Sequence, residues 1–428
     1  MYIVIIMNFK KKVLKNGLRI VVVPIKNSPS VTVMSLIEAG SKYETKELNG
    51  LSHFLEHMCF KGTDKRPKAI DISREFDAMG AQNNAFTSQE FTGYWGKAHP
   101  KNTDKLIDLI SDMYLHPTLP ADDLEREKGV IIEELNMYED LPNRIVHDVW
   151  NELLYGDQPA GWSIIGTREN IRSFNRDDFV NYRSKLYVAD ATAVLVAGDV
   201  DANDIFKKIE KAFTGMPVGK KKGKKKVVES QNKPAVKIKY KDTDQTHLVM
   251  GFRAFDVYDK RTPALKLAST ILGGGMSSRL FQKMREQLGI CYYAKSFVDQ
   301  LTDHGVLMAT AGVDSSRVEL GINGILEEFK KIRDEKVGND ELRKAKDYLI
   351  GNLYLGLESS DSLTEFYGMQ EILHEKIKTP KEIEKEIEKV SAADIAKITK
   401  TIIQNKNLNM AIVGKYNDPK RFEKILKV

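Results

Sequence analysis

Two stretches of this chain, about half its length apart, read as versions of one another, and no other feature constrains the fold as much. DDFVNYRSKLYVADATAVLVAG ends at Gly198 and AADIAKITKTIIQNKNLNMAIVG ends at Gly414, with Asp178 and Asp394 at the same distance before those glycines. In both, an amphipathic helical pattern leads through a polar turn into a β-rich apolar run, Ala193–Ala197 and Met410–Val413. An offset of about half the chain is too long for a solenoid period, so two copies of one domain are expected. Between them, GMPVGKKKGKKKVVESQNKP lacks apolar periodicity and reads as an exposed linker. The predicted division is therefore 1–215, a lysine-rich linker at 216–234, and 235–428.

Each half opens with strand patterns, LRIVVVP and SVTVMSLIEAG in the first, AVKIKY and THLVMGFRAF in the second. Long helical patterns follow, among them Lys101–Leu115, Asp122–Glu139 and Val318–Lys336. That order predicts an α+β fold of two homologous halves, each a mostly antiparallel sheet covered by helices.

Composition narrows the function classes. Hydrophobic residues at 42% and charged residues at 29% are ordinary for a globular chain. The formal net charge of +6 equals the contribution of Lys220, Lys221, Lys222, Lys224, Lys225 and Lys226, so the rest of the chain is close to neutral. No aromatic residue interleaves those lysines, so no specific nucleic-acid partner is expected from them. Cys59 and Cys291 are too few for a disulfide framework; read as buried thiols, they fit a reducing, cytoplasmic setting. The N-terminal MYIVIIM is apolar but short and reads as a strand, or as extra residues if translation begins at Met7. No stretch approaches the roughly 20 apolar residues of a membrane span.

The chemistry concentrates in LSHFLEHMCFKGT, residues 51–63. The surrounding pattern reads as a helix with Asn49 as its N-cap and Gly62 as its stop. On a helix, His53 and His57 share a face and can reach one ion, with Glu56 beside them, in the order H-x-x-E-H. The alternative is that two such histidines are surface or core residues of an amphipathic helix. A catalytic zinc needs a third protein ligand and an open position. LEREKGVIIEELNMYED supplies Glu127, Glu133 and Glu134 in a helical pattern; Glu127 and Glu134 share a face, and Glu133 lies about 100° away. Gly129, Val130, Ile131, Ile132 and Leu135 make much of this segment apolar, so carboxylates within it need partners. LGGGMSSRL, by contrast, lacks the Gly-Lys-Ser/Thr of a phosphate loop and reads as a tight turn. His99, His116, His147, His247, His304 and His374 show no ligand spacing.

In these residues the chain resembles the pitrilysin/insulinase family of inverzincins, which includes the mitochondrial processing peptidase and its prokaryotic relatives. NGLRIVVVP, HFLEHMCFKGT, NNAFTSQEFTGYW, GTRENI and LGGGMSSRLFQKMREQLGICYY all look like family blocks, so the resemblance covers nearly the whole chain. The spacing from His57 to Glu134 is also the family's. The resemblance implies one zinc ion per chain held by His53, His57 and Glu134, with Glu56 as general base and Glu127 in a supporting role. It implies that Arg285 and Tyr292, with Tyr293 beside them, serve substrate and oxyanion from a second half that binds no metal. It implies that an edge strand at Asn84, Ala85 and Phe86 pairs with the substrate backbone, and that the halves face each other across a cavity. The activity implied is that of a zinc-dependent endopeptidase acting on peptides or unfolded segments, as a homodimer or with a sister chain; an inactive partner subunit is the alternative. Gln158, Trp162 and Ser163 depart from residues frequent in the family, where a histidine and an Arg-Pro pair stand.

Overall fold

Val31–Ile37 and Thr192–Gly198 are buried at every position, on both faces of the strand. A strand buried on both faces requires helices above and below its sheet, and this requirement organises the fold. The computed structural model describes residues 8–374 and 376–428, so the strand expected in MYIVIIM lies outside the described residues.

The first sheet contains β1 (Lys10–Val13), β2 (Arg19–Pro24), β3 (Val31–Ile37), β4 (Gln82–Thr87), β5 (Thr92–Ala98) and β6 (Thr192–Gly198), in the order β1-β2-β6-β3-β5-β4. The β2–β6 pair is parallel and the other pairs are antiparallel. The second sheet contains β7 (Ala235–Tyr240), β8 (Gln245–Ala254), β9 (Cys291–Gln300), β10 (Gly305–Asp314) and β11 (Leu408–Gly414), in the order β7-β11-β8-β10-β9. Strand for strand this repeats β2-β6-β3-β5-β4, including the parallel pair at the same place. The chain is thus α+β, with one sheet design used twice. NNAFTSQEFTGYW lies across a hairpin, β4 and β5.

The helices are not distributed as the repeat alone would place them. The helix Ser360–Leu373, from the second half of the sequence, packs on β6, β3 and β2 of the first sheet. It approaches closely because residue 368 is glycine: a Cβ there would stand 2.6 Å from Leu36 Cδ1. The helix Thr103–Leu115 covers the opposite face of that sheet through contacts with β3 and β5. Reciprocally, Pro142–Tyr155 from the first half packs on β11, β7 and β8 of the second sheet, where Ile145, Val146, Val149 and Trp150 meet Val249, Met308, Ala411 and Val413. The alternate residues Leu248, Met250, Leu307 and Ile412 face the other core, against Leu265, Ile325 and Ile398.

Two compact units result: Met1–Leu135, Ser163–Lys225 and Leu355–Thr379 in the first, Asn136–Trp162, Lys226–Tyr354 and Pro380–Val428 in the second. They exchange one segment each, so their borders differ from those of the repeat. The lysine segment is mostly exposed, as expected, but not loose. Lys221 Nζ reaches both oxygens of Glu38 at 3.1 and 3.0 Å, and Lys224 Nζ lies 3.3 Å from Glu90, which the buried Lys42 also holds at 2.9 Å. A carboxylate as buried as Glu90 needs such partners, and the sequence run does not announce them. Cys59 is fully buried, whereas Cys291 is only half-buried at the start of edge strand β9. No helix among the described residues is long and apolar enough to cross a membrane.

Candidate active site

The motif helix spans Leu51–Met58 and buries Leu51, Phe54, Leu55 and Met58. That leaves His53 and His57 on its accessible side. The helix begins at Gly50, whose φ of 100° places it in the left-handed region, and a Cβ there would stand 2.6 Å from Ile165 O. Asn49 does not cap the helix as expected. The carboxylate of Glu44 takes that place, accepting from the Gly50 and Ser52 amides at 2.9 and 2.6 Å and from Asn49 Nδ2 at 3.1 Å. A carboxylate at the positive end of the helix outcompetes the shorter amide side chain, which instead ties Glu44 to Ser163 O. Gly62 is also not the stop, because the helix ends at Met58.

The helix Ala121–Glu139 brings the carboxylates. Glu134 Oε2 lies 3.6 Å from His53 Nε2 and 3.5 Å from His57 Nε2, and the three ligand atoms all fall within 4.8 Å of one another. Donors about 2.1 Å from a tetrahedral ion sit about 3.4 Å apart, so this set fits zinc. Among the described residues no other group of three or more histidine, cysteine or acidic side chains is gathered closely enough to hold a metal. Glu133 is exposed and does not belong to this set.

Around these donors lies a second set of contacts. Glu127 Oε1 bonds His57 Nδ1 at 2.9 Å, and Glu127 Oε2 meets Lys61 Nζ at 2.5 Å. Thr87 Oγ1, at the end of β4, donates to Glu56 Oε2 at 2.5 Å. Sequence reasoning missed both Lys61 and Thr87. Lys61 stood in plain view shortly beyond His57, while nothing local ties Thr87 to Glu56. Burial pushes the Glu56 carboxyl above its ordinary value, with the Glu134 charge adding to it, against the Thr87 hydrogen bond and His57. Burial disfavours a charged His57, but Glu127, Glu56 and Glu134 outweigh it and hold the imidazole above its usual value. A site whose carboxylates favour a proton on imidazole is one that attracts cations.

Asn84, Ala85 and Phe86 lie on β4, an edge of the first sheet paired to β5 on one side. The Ala85 amide bonds its neighbour Asn84 Oδ1 at 2.9 Å, and the Phe86 ring packs beside Phe91. In the second unit, Arg285 sits on a π-helical turn, Gln282–Gln287, and its guanidinium lies 5.2 Å from the Tyr292 ring. Such turns often occur at functional positions. Tyr292 is 75% exposed, whereas the Tyr293 hydroxyl bonds His247 Nδ1 at 2.9 Å. Gln158 bonds Tyr155 O and both backbone groups of Val228, and Trp162 Nε1 donates to Asp157.

Residues 19–168 match the family model described as Insulinase (Peptidase family M16), and residues 173–349 match that described as Peptidase M16 inactive domain. The chain is 36% identical over 386 residues to the Bacillus subtilis protein called "Uncharacterized zinc protease YmxG", covering 89% of this chain and 92% of that one. This chain belongs to the insulinase, or M16, peptidase family. A Rickettsia bellii M16 relative, also called an uncharacterized zinc protease, is 32% identical over 96% of this chain and 98% of its own length. The M16 fold recurs in the crystal structure of a protease from Helicobacter pylori, with a TM-score of 0.87, 23% identity, and coverage of 95% of this chain and 99% of that one.

Proposed function

We propose that the chain is a zinc-dependent endopeptidase that hydrolyses peptides or unfolded polypeptide segments. The observation that carries this reading is the set of His53, His57 and Glu134 donors, all within 4.8 Å of one another, with the Glu56 carboxylate close enough to feel the charges of His57 and Glu134. The names of the relatives as zinc proteases support it. The three residues would hold one ion per chain and leave a coordination position open. Zinc held there supplies Lewis acidity, polarising a peptide carbonyl and acidifying a water.

Glu56 is the general base. Its carboxylate, steadied by the hydrogen bond that Oε2 accepts from Thr87, takes a proton from water and returns it to the departing amine. Glu127 orients His57 through Nδ1. In this reading residues 1–215 form the catalytic half, 216–234 the linker, and 235–428 the substrate-binding half without metal. Arg285 and Tyr292 bind substrate and stabilise the oxyanion, and Asn84, Ala85 and Phe86 take the substrate backbone as an added strand. The working form is a homodimer or a pair with a sister chain, in the cytoplasm, where the two cysteines stay unpaired.

Glu56→Gln tests the reading. Glutamine keeps the shape beside the metal but cannot accept the proton, so zinc content should stay at one per chain while hydrolysis of an unstructured peptide falls about 10²–10⁴-fold. Undiminished turnover would remove Glu56 from the mechanism. An unaltered chain that holds zinc and cleaves no peptide would instead be a partner subunit.

A further inference from the structure

We propose that Lys61 is a positioning residue for the metal, acting through Glu127 on His57. The inference rests on the proposed zinc site and goes beyond its ligands and general base. Lys61 follows the motif helix, and its ammonium meets Glu127 Oε2 at 2.5 Å while Glu127 Oε1 meets His57 Nδ1 at 2.9 Å. The Glu127 side chain is only 7% exposed, so its charge is tolerated because both oxygens are engaged. With Oε2 held by Lys61, Oε1 is aimed at His57. An ionised carboxylate there accepts a hydrogen bond from Nδ1–H, which keeps the proton on Nδ1, fixes the tautomer and leaves the Nε2 lone pair facing Glu134 and His53.

Charge makes the same demand. Glu56, Glu127 and Glu134 bring three negative charges into one site, and a divalent ion with one ammonium balances them. Without Lys61 the Glu127 carboxylate keeps one partner, feels two other carboxylates, and is free to rotate away from His57.

The sign of the effect separates positioning from simple charge. Lys61 and a metal cation repel, so through-space electrostatics alone would make removal of Lys61 tighten metal binding. Positioning through Glu127 makes the same removal weaken it.

The test measures the zinc Kd of the full-length chain by competition with a chromogenic chelator. Lys61→Met should weaken binding about 10–100-fold, the usual range for a group that orients a ligand. Lys61→Arg should recover most of the loss, because it restores a cationic donor of similar reach. In a Glu127→Gln background, Lys61→Met should add less than about 3-fold, because the path is already cut. Thermal unfolding of the metal-free proteins is followed alongside; if Lys61→Met lowers the midpoint, Lys61→Gln, which keeps a neutral donor but not the charge, should still weaken zinc binding, by less than Lys61→Met does. Lys61→Met binding as tightly as the unaltered chain, or its full loss persisting in the Glu127→Gln background, would overturn the role. An unaltered chain without zinc affinity would overturn the site and the role together.

Discussion

About 100° of helix rotation separates Glu133 from Glu134, and the structure turns Glu134 toward the histidines while Glu133 stays exposed. Glu134→Gln should therefore lower zinc affinity by more than about 100-fold, beyond the range for a merely orienting group. Glu133→Gln should change it by less than about 3-fold. Zinc retained after dialysis against a chelator measures both, and loss from the Glu133 variant alone would reverse the assignment. A second pair of neighbours separates in the same way. Tyr292→Phe should cut peptide hydrolysis by up to about 10²-fold, the scale of one oxyanion donor, and leave stability unaltered, because its side chain is exposed. Tyr293→Phe removes the bond to His247 and should lower the urea stability by about 1 kcal/mol while sparing turnover. At this scale the histidines and Glu56 were legible, because spacing on one helix is a local property. Thr87 and Lys61 were not, because their partners, Glu56 and Glu127, lie on other elements far along the chain.

Single elements show how contacts from outside a segment override its own signals. Asn49 is a good capping residue by type, yet Glu44 takes the free amides of the motif helix. Removing that carboxylate by Glu44→Ala should cost about 1–3 kcal/mol in urea unfolding, because the Gly50 and Ser52 amides would be left buried and unpaired. Asn49→Ala should cost less. The helix Ser360–Leu373 is tied to β5 by Asp361, which Lys97 meets at 2.7 Å. Burial opposes ionisation of Asp361, but the Lys97 and Ser359 contacts prevail and hold its carboxyl below the ordinary value of 3.8. With the folded value below the unfolded one, the contribution is complete above about pH 4 and is lost as pH falls through the folded value. Asp361→Asn should thus lower stability at neutral pH by about 1 kcal/mol or less, since the Asp361 side chain is a third exposed and its charge is screened by solvent. The difference between variant and unaltered chain should shrink as the pH falls below about 4 in urea titrations.

Across the whole molecule, the exchange of helices makes each half of the sequence incomplete. A first fragment ending at Lys222 lacks Ser360–Leu373 and leaves the buried Leu36 and Leu195 uncovered. The complementary fragment lacks Pro142–Tyr155 and with it the buried Trp150. Each large apolar side chain left in water costs about 1.5–3 kcal/mol, and several such losses consume the roughly 5–15 kcal/mol of a domain. Neither fragment should unfold cooperatively alone, and mixing them should restore a cooperative transition, followed by circular dichroism in urea. A cooperative transition in the first fragment by itself would show that the borrowed helix is dispensable.

The sequence by itself determined the local periods, and with them the strands, the long helices, the duplicated sheet and the H-x-x-E-H face. These follow from side-chain spacing of about 2.0 or 3.6 residues, which no distant contact can change. It also carried the family blocks that point to Glu134. Tertiary structure alone decided which helix covers which sheet, which carboxylate caps the motif helix, and which groups hold Glu56 and Glu127. An apolar face records that it must be buried but not against what, and a buried charge records that it needs a partner but not which one. Those choices are made only when the whole chain packs.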